Sequence, residues 1–196
     1  TTHLAGKLQL KDVKFYADRV TGNGESGKII ETSASGGVFF PEVTINEFNM
    51  YWSPTDDSMA VSSDKGFSFY NGTSTLKGAI VLKKPGLFGD GKLDRSDSDT
   101  QSKHFKFNRS GFLAENSTFN IKSTDNPEKP IFSGKHVGID FSVQKNIVGI
   151  KSQNNDLDGN LNSTLEFPYS AYSTTIDNAT WNIKDKKITM QGALES

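Results

Sequence analysis

The chain reads as an all-β protein, elongated and built from stacked short strands, on three observations. Apolar residues recur at every second position in brief bursts: Phe105/Phe107, Phe112/Ala114, Phe119/Ile121, Val137/Ile139/Phe141, Trp181/Ile183 and Ile188/Met190. That period puts apolar side chains on one face of a strand and polar ones on the other. Glycine, asparagine or aspartate separates the bursts, and no stretch supports a helix of more than about two turns.

Taken in order, Leu8 and Leu10 alternate and lead into Val13, Phe15 and Ala17. Gly22-Asn23-Gly24-Glu25-Ser26-Gly27 then reads as a glycine-rich turn, with a short strand beginning at Ile29-Ile30. Gly36-Gly37 is a second turn, and Pro41 interrupts the stretch from Val38 to Trp52 because proline donates nothing to a sheet ladder. Turns follow at Ser53 to Asp57, at Asn71-Gly72 and at Pro85-Gly86. Between them Met59/Val61, Phe67/Phe69, Leu76, Ile80 and Leu82 carry the β pattern. From Asp90 to Asp99 the chain is acidic, with Leu93 on a strand and the rest solvated. Phe105/Phe107, Phe112/Ala114 and Phe119/Ile121 are then three pulses, seven residues apart, with Asn108, Ser110, Gly111, Asn116 and Ser117 between them. They suit tight hairpins or stacked arcs. Gln144 to Asn146 and Tyr169 to Tyr172 are the poorest strand candidates. Pulse spacing is irregular, which resembles a degenerate rung pattern more than a strict repeat.

Bulk numbers narrow the class. Hydrophobic content is 34% of 196 residues, low enough to favour a thin structure in which each strand buries one face. Net charge is −1, from 22 basic and 23 acidic residues that are well mixed. That argues against non-specific nucleic-acid binding, which needs a clustered basic surface. Cysteine is absent, so disulfides and thiolate metal sites are excluded, and an oxidising compartment is compatible. No apolar run approaches the ~20 residues of a transmembrane helix. The chain opens Thr1-Thr2-His3, which reads as a processed or excised piece.

Candidate chemistry is sparse. His3, His104 and His136 are far apart in the chain, and His104 shares the polar face with Lys106. No Ser/His/Asp set sits in a nucleophile context. Asn154-Asn155-Asp156-Leu157-Asp158-Gly159-Asn160 resembles a fragment of a calcium loop, with oxygen ligands at Asp156, Asp158 and Asn160. The twelfth position from Asn154 is Leu165, and no helix flanks the run, so a plain Asx/Gly turn is preferred and no cofactor is expected. Asp90, Asp94, Asp97 and Asp99 offer paired carboxylates for glycoside or lyase chemistry, but read better as a charged edge that discourages aggregation. Tyr51, Trp52, Tyr70, Tyr169, Tyr172 and Trp181 are candidates for a sugar-stacking platform. Trp181, in register with Ala179 and Ile183, suits the core instead. Asn71, Asn108, Asn116, Asn162 and Asn178 match the glycosylation acceptor pattern, which matters only in a eukaryotic secretory setting.

Two resemblances add to this. The order Asn71 to Gly78, Gly89 to Asp94, Phe105 to Phe107, Phe112 to Ala114 and Ser117 to Ser123 is similar to very long uncharacterised envelope proteins of Bacteroidetes. So are Gly149 to Asn154, Leu165 to Tyr169 and Trp181 to Ile183, a match over roughly residues 67 to 190. Phe15 to Val20, followed by Gly22 to Ile30, resembles the strand-turn-strand units of the periplasmic lipopolysaccharide-transport (OstA-like) family. That second likeness implies a β-taco or β-jelly-roll, with V-shaped strands around an apolar groove that holds acyl chains. It carries over no individual lipid-contact residue.

The expectation is therefore one elongated β domain over 1-196, solenoid-like or taco-like, cut from a longer exported envelope protein. Phe105, Phe107, Phe112, Phe119, Ile121, Ile139, Phe141, Trp181 and Ile183 should face inward. The expected function is non-enzymatic: a periplasmic or envelope-associated structural or lipid-carrying module, partnered by neighbouring β units or an amphipathic lipid. The alternative is a carbohydrate-binding or carbohydrate-active β domain.

Overall fold

The computed structural model describes residues 4–31, 39–126, 128–153, 163–175 and 177–192. The described residues form fourteen strands and no helix: β1 (Leu4–Phe15), β2 (Val20–Glu31), β3 (Val43–Ser53), β4 (Ser58–Phe69), β5 (Ser74–Lys83), β6 (Gly86–Arg95), β7 (Ser98–Asn108), β8 (Gly111–Ile121), β9 (Phe132–Ser142), β10 (Ile147–Ser152), β11 (Thr164–Phe167), β12 (Tyr172–Thr174), β13 (Asn178–Asn182) and β14 (Lys187–Gln191). The all-β class expected from the alternation is the class observed. Strands hydrogen-bond in chain order from β1 to β10, then β13 and β14, with β11 pairing β9 and β12. β9 pairs with β10 through one half and with β11 through the other, so β10 and β11 share one strand position. β13 on β10 and β12 on β11 share the next. Such a meander can use tight hairpins between successive strands, and one lies between β4 and β5, where Asn71 and Gly72 both adopt the positive φ that a tight hairpin demands.

Two compact units divide the chain: Thr1–Asp94 with Lys106–Arg109, and Arg95–Phe105 with Ser110–Ser196. In the first unit, rows of inward residues cross the strands in register. One runs Ile29, Val43, Phe69, and another runs Met50, Val61, Ile80; all six are buried. In the second unit Phe105, Phe112, Phe119, Phe132, Phe141 and Val148 form the interior.

The long strands are interrupted mid-length. Register slips between Ile45 and Phe48 on β3, where Glu47 has φ +47°, and between Ser63 and Phe67 on β4, where Gly66 has φ +87°. On β5 and β6 the glycines Gly78 and Gly91 have positive φ and lie against each other. A Cβ on Gly78 would stand 2.1 Å from the Asp90 carbonyl oxygen, and one on Gly91 2.1 Å from that of Lys77. In the second unit the slips fall at Asn116 on β8 and His136 on β9, both with positive φ. Bulges of this kind bend the strand and leave backbone groups without ladder partners. Buried serines supply the missing partners. Ser63 Oγ donates to the Asn46 carbonyl and accepts from the Lys65 N–H. Ser102 Oγ donates to Glu115 O and accepts from His104 N–H. Ser117 Oγ donates to Val137 O, and Ser163 Oγ to His136 O while accepting from Gln153 N–H.

Several sequence expectations are corrected. Gly22 to Gly27 is not a turn: it lies inside β2, held between β1 and β3, and the reversal falls at Tyr16 to Arg19, where Tyr16 N–H donates to Arg19 O. Phe112/Ala114 and Phe119/Ile121 are one strand with a bulge between them, not separate pulses. The acidic run Asp90 to Asp99 is not a sheet edge, because β6 and β7 are interior strands of the order. Ile183 lies one residue beyond β13 and is only half-buried; the other eight residues expected inward are buried.

Candidate functional site

Inward-facing rings meet across strands that are not neighbours. In the first unit Phe69, in the C-terminal half of β4, stacks on Phe107 in the C-terminal half of β7 with ring centroids 4.3 Å apart. In the second unit the Arg95 guanidinium of β6 lies 4.7 Å from the Phe141 ring of β9, and Phe119 of β8 is 6.0 Å from Trp181 of β13. Each contact joins strands three positions apart. In a flat sheet, strands about 4.8 Å apart would hold such side chains no closer than about 14 Å. Within each unit the sheet therefore curls until its apolar face meets itself, and at these levels side chains of the chain's own occupy the interior. Arg95 is held there by Asp97, whose carboxylate it meets at 3.2 Å, while Ser98 Oγ donates to the same carboxylate.

The residues singled out in the sequence scatter. Asp156, Asp158 and Asn160 lie outside the described residues. Among the described residues, no three His, Cys, Asp or Glu are grouped to hold a metal ion, and no helix is long and apolar enough to cross a membrane. Asp97 serves Arg95, and Asp99 accepts from Asn120 Nδ2 at 3.0 Å, so both act in the scaffold. His104 is exposed beside Lys106 on the polar face, and His136 marks a bulge. Trp181 is in the core. The Tyr70 hydroxyl donates to Asn108 O and that of Tyr169 to Ser123 Oγ. Tyr51 and Trp52 are 44% and 41% exposed but are adjacent on β3, so they project from opposite faces and make no common platform.

An exposed apolar row at β1 was not singled out by sequence. Phe15, Val20, Trp52, Met59 and Leu82 are paired in register across β1 to β5. Phe15 is 80% exposed and Leu82 only 6%. A mirror-image row runs through Phe119, Phe132, Phe167 and Tyr172 in the second unit, with successive ring centroids 6.4, 5.3 and 6.0 Å apart. It begins buried at Phe119 and ends at Tyr172, 52% exposed. The available signal for the first row was the alternation Val13/Phe15, which marks an apolar face without saying whether anything covers it.

Comparison with protein-family models, curated proteins and solved structures finds no match to this chain.

Proposed function

We propose that the chain is a non-enzymatic structural module of a cell envelope, which spaces or connects neighbouring β units. The observation that carries this is the occupancy of the curled sheet's interior by its own rings, Phe69 on Phe107 and Phe119 against Trp181. Side chains in mutual contact leave no room at those levels for an acyl chain, which favours the structural version over the lipid-carrying one. The envelope setting rests on the resemblance to long envelope proteins described above. Native mass spectrometry of protein purified from membranes tests the choice: protein free of lipid is expected, and a stoichiometric co-purified lipid would replace the scaffold by the carrier. Cell fractionation tests the setting, and recovery with cytosolic markers would remove it.

A carbohydrate-binding role is favoured by one observation, the presence of exposed Phe15 and Trp52 on the same face of one cross-strand row. A glycan array on which wild type binds and Trp52→Ala does not would support it; an array without hits would end it.

A further inference from the structure

We propose that the outer face of the first unit, where β2, β3 and β4 lie side by side, binds a neutral oligosaccharide stacked on Tyr51. In-register pairing sets two rows of side chains on that face. Thr21, Tyr51 and Ala60 lie opposite one another in the first row, and Asn23, Asn49 and Ser62 in the second. Alternation fixes the side. Met50 and Val61, paired between the two rows, are buried in the interior, so the residues flanking them point outward. Tyr51 is the one large side chain among the six. Its cross-strand neighbours Thr21 and Ala60 are too short to cover a phenol ring, and Tyr51 stays 44% exposed. Asn49 stands two residues along the same strand, about 6.8 Å away at about 3.4 Å per residue. Ser62 lies opposite it, and both are exposed. An aromatic face with an amide and a hydroxyl beside it matches the chemistry of a pyranose. The C–H face of the sugar packs on the ring, and its hydroxyls exchange hydrogen bonds with the amide and the serine.

Charge decides the class of partner. None of the six residues is Asp, Glu, Lys, Arg or His, and on β5 the same two rows continue through Val81 and Ala79. Charged residues return toward the other end of these strands, where they pair with one another: Lys65 with Glu47 at 3.8 Å and Lys28 with Glu42 at 2.6 Å. The face therefore offers no cluster of cations to a phosphate backbone, an anionic lipid headgroup or an acidic polysaccharide. A protein partner would need a centre of several large buried side chains, and this face supplies one ring. A neutral sugar needs that ring and its polar neighbours. The site lies on the opposite face of the sheet from the Phe15 and Trp52 row and does not depend on the envelope reading. It adds a ligand to a structural module.

Titration calorimetry tests this with hexaoses of glucose, mannose and N-acetylglucosamine, and with a hyaluronan hexasaccharide as the acidic comparison. The proteins are wild type, Tyr51→Ala, Tyr51→Phe, Ser62→Lys and Trp52→Ala, each checked for native circular dichroism. Wild type is expected to bind at least one of the neutral hexaoses. Tyr51→Ala should weaken that binding about tenfold, and Ser62→Lys should weaken it as well. Tyr51→Phe, which keeps the ring, should retain it, and Trp52→Ala should leave it unchanged. A wild type that binds none of the neutral hexaoses at millimolar concentration overturns the inference while leaving the scaffold reading to its own tests. Binding that survives in Tyr51→Ala but is lost in Trp52→Ala overturns it too, and assigns the sugar to the inner row instead. Preference for the acidic hexasaccharide overturns it equally.

Discussion

Ser117 is fully buried, and its hydroxyl does what no apolar side chain of that size can do: it donates to the Val137 carbonyl at 2.7 Å where β8 and β9 fall out of register. Removing it leaves that oxygen without this donor. Ser117→Ala should cost about 1–3 kcal/mol, read as a lower urea midpoint with an unchanged slope. Ser62, exposed on the outer face of β4, is the control, and Ser62→Ala should stay within about 0.5 kcal/mol. Equal effects at the two positions would show that buried serines do not support the bulges. These serines were not legible as core residues. A hydroxyl scores as polar in any alternation count, and its burial depends on a slip in register that only the neighbouring strand reveals.

Strands were legible wherever the alternation ran unbroken, as in Val137 to Phe141, and misread wherever a bulge reversed it. Ala114 and Ser117 both face inward although they are three apart, so β8 presented itself as two short strands with a loop between them. Gly22 to Gly27 misled for a related reason: glycines that commonly end strands are tolerated here because β1 and β3 hold the segment on both sides. The interruptions themselves are testable as elements. Gly78→Ala places a Cβ into the Asp90 carbonyl at a φ of +150°. The strained backbone alone should cost about 1–3 kcal/mol, and thermal denaturation should show at least that loss. Gly72→Ala, in an exposed hairpin at φ +82° with the nearest atom 3.9 Å away, lacks the steric overlap and should lose less. A larger loss at Gly72 would mean that the mid-strand interruptions are not sterically closed.

At the scale of the molecule each compact unit carries one tryptophan, Trp52 in the first and Trp181 in the second. Their surroundings differ, 41% exposed against 5%. Trp52→Phe should therefore leave a blue-shifted emission from the buried indole, and Trp181→Phe a red-shifted emission from the wetter one. The two variants then follow the unfolding of each unit separately in urea. Identical spectra would contradict the burial assigned to Trp181. The exposed apolar rows at the two ends were out of reach of sequence for a reason that also belongs to this scale. Alternation marks Phe15 and Phe69 alike as inward, and only the packing of side chains from other strands decides which is covered.

The meander has a kinetic corollary. Most strands find their hydrogen-bonding neighbour in the segment made just before them, so a polypeptide emerging gradually from a ribosome or a translocation pore can zip its ladder as it appears. Hairpin closure takes about 1–10 μs, against synthesis at about 5–20 residues per second. Each new strand therefore has time to register on its predecessor before the next arrives, while sealing of the ring-lined interior waits for the third strand to follow.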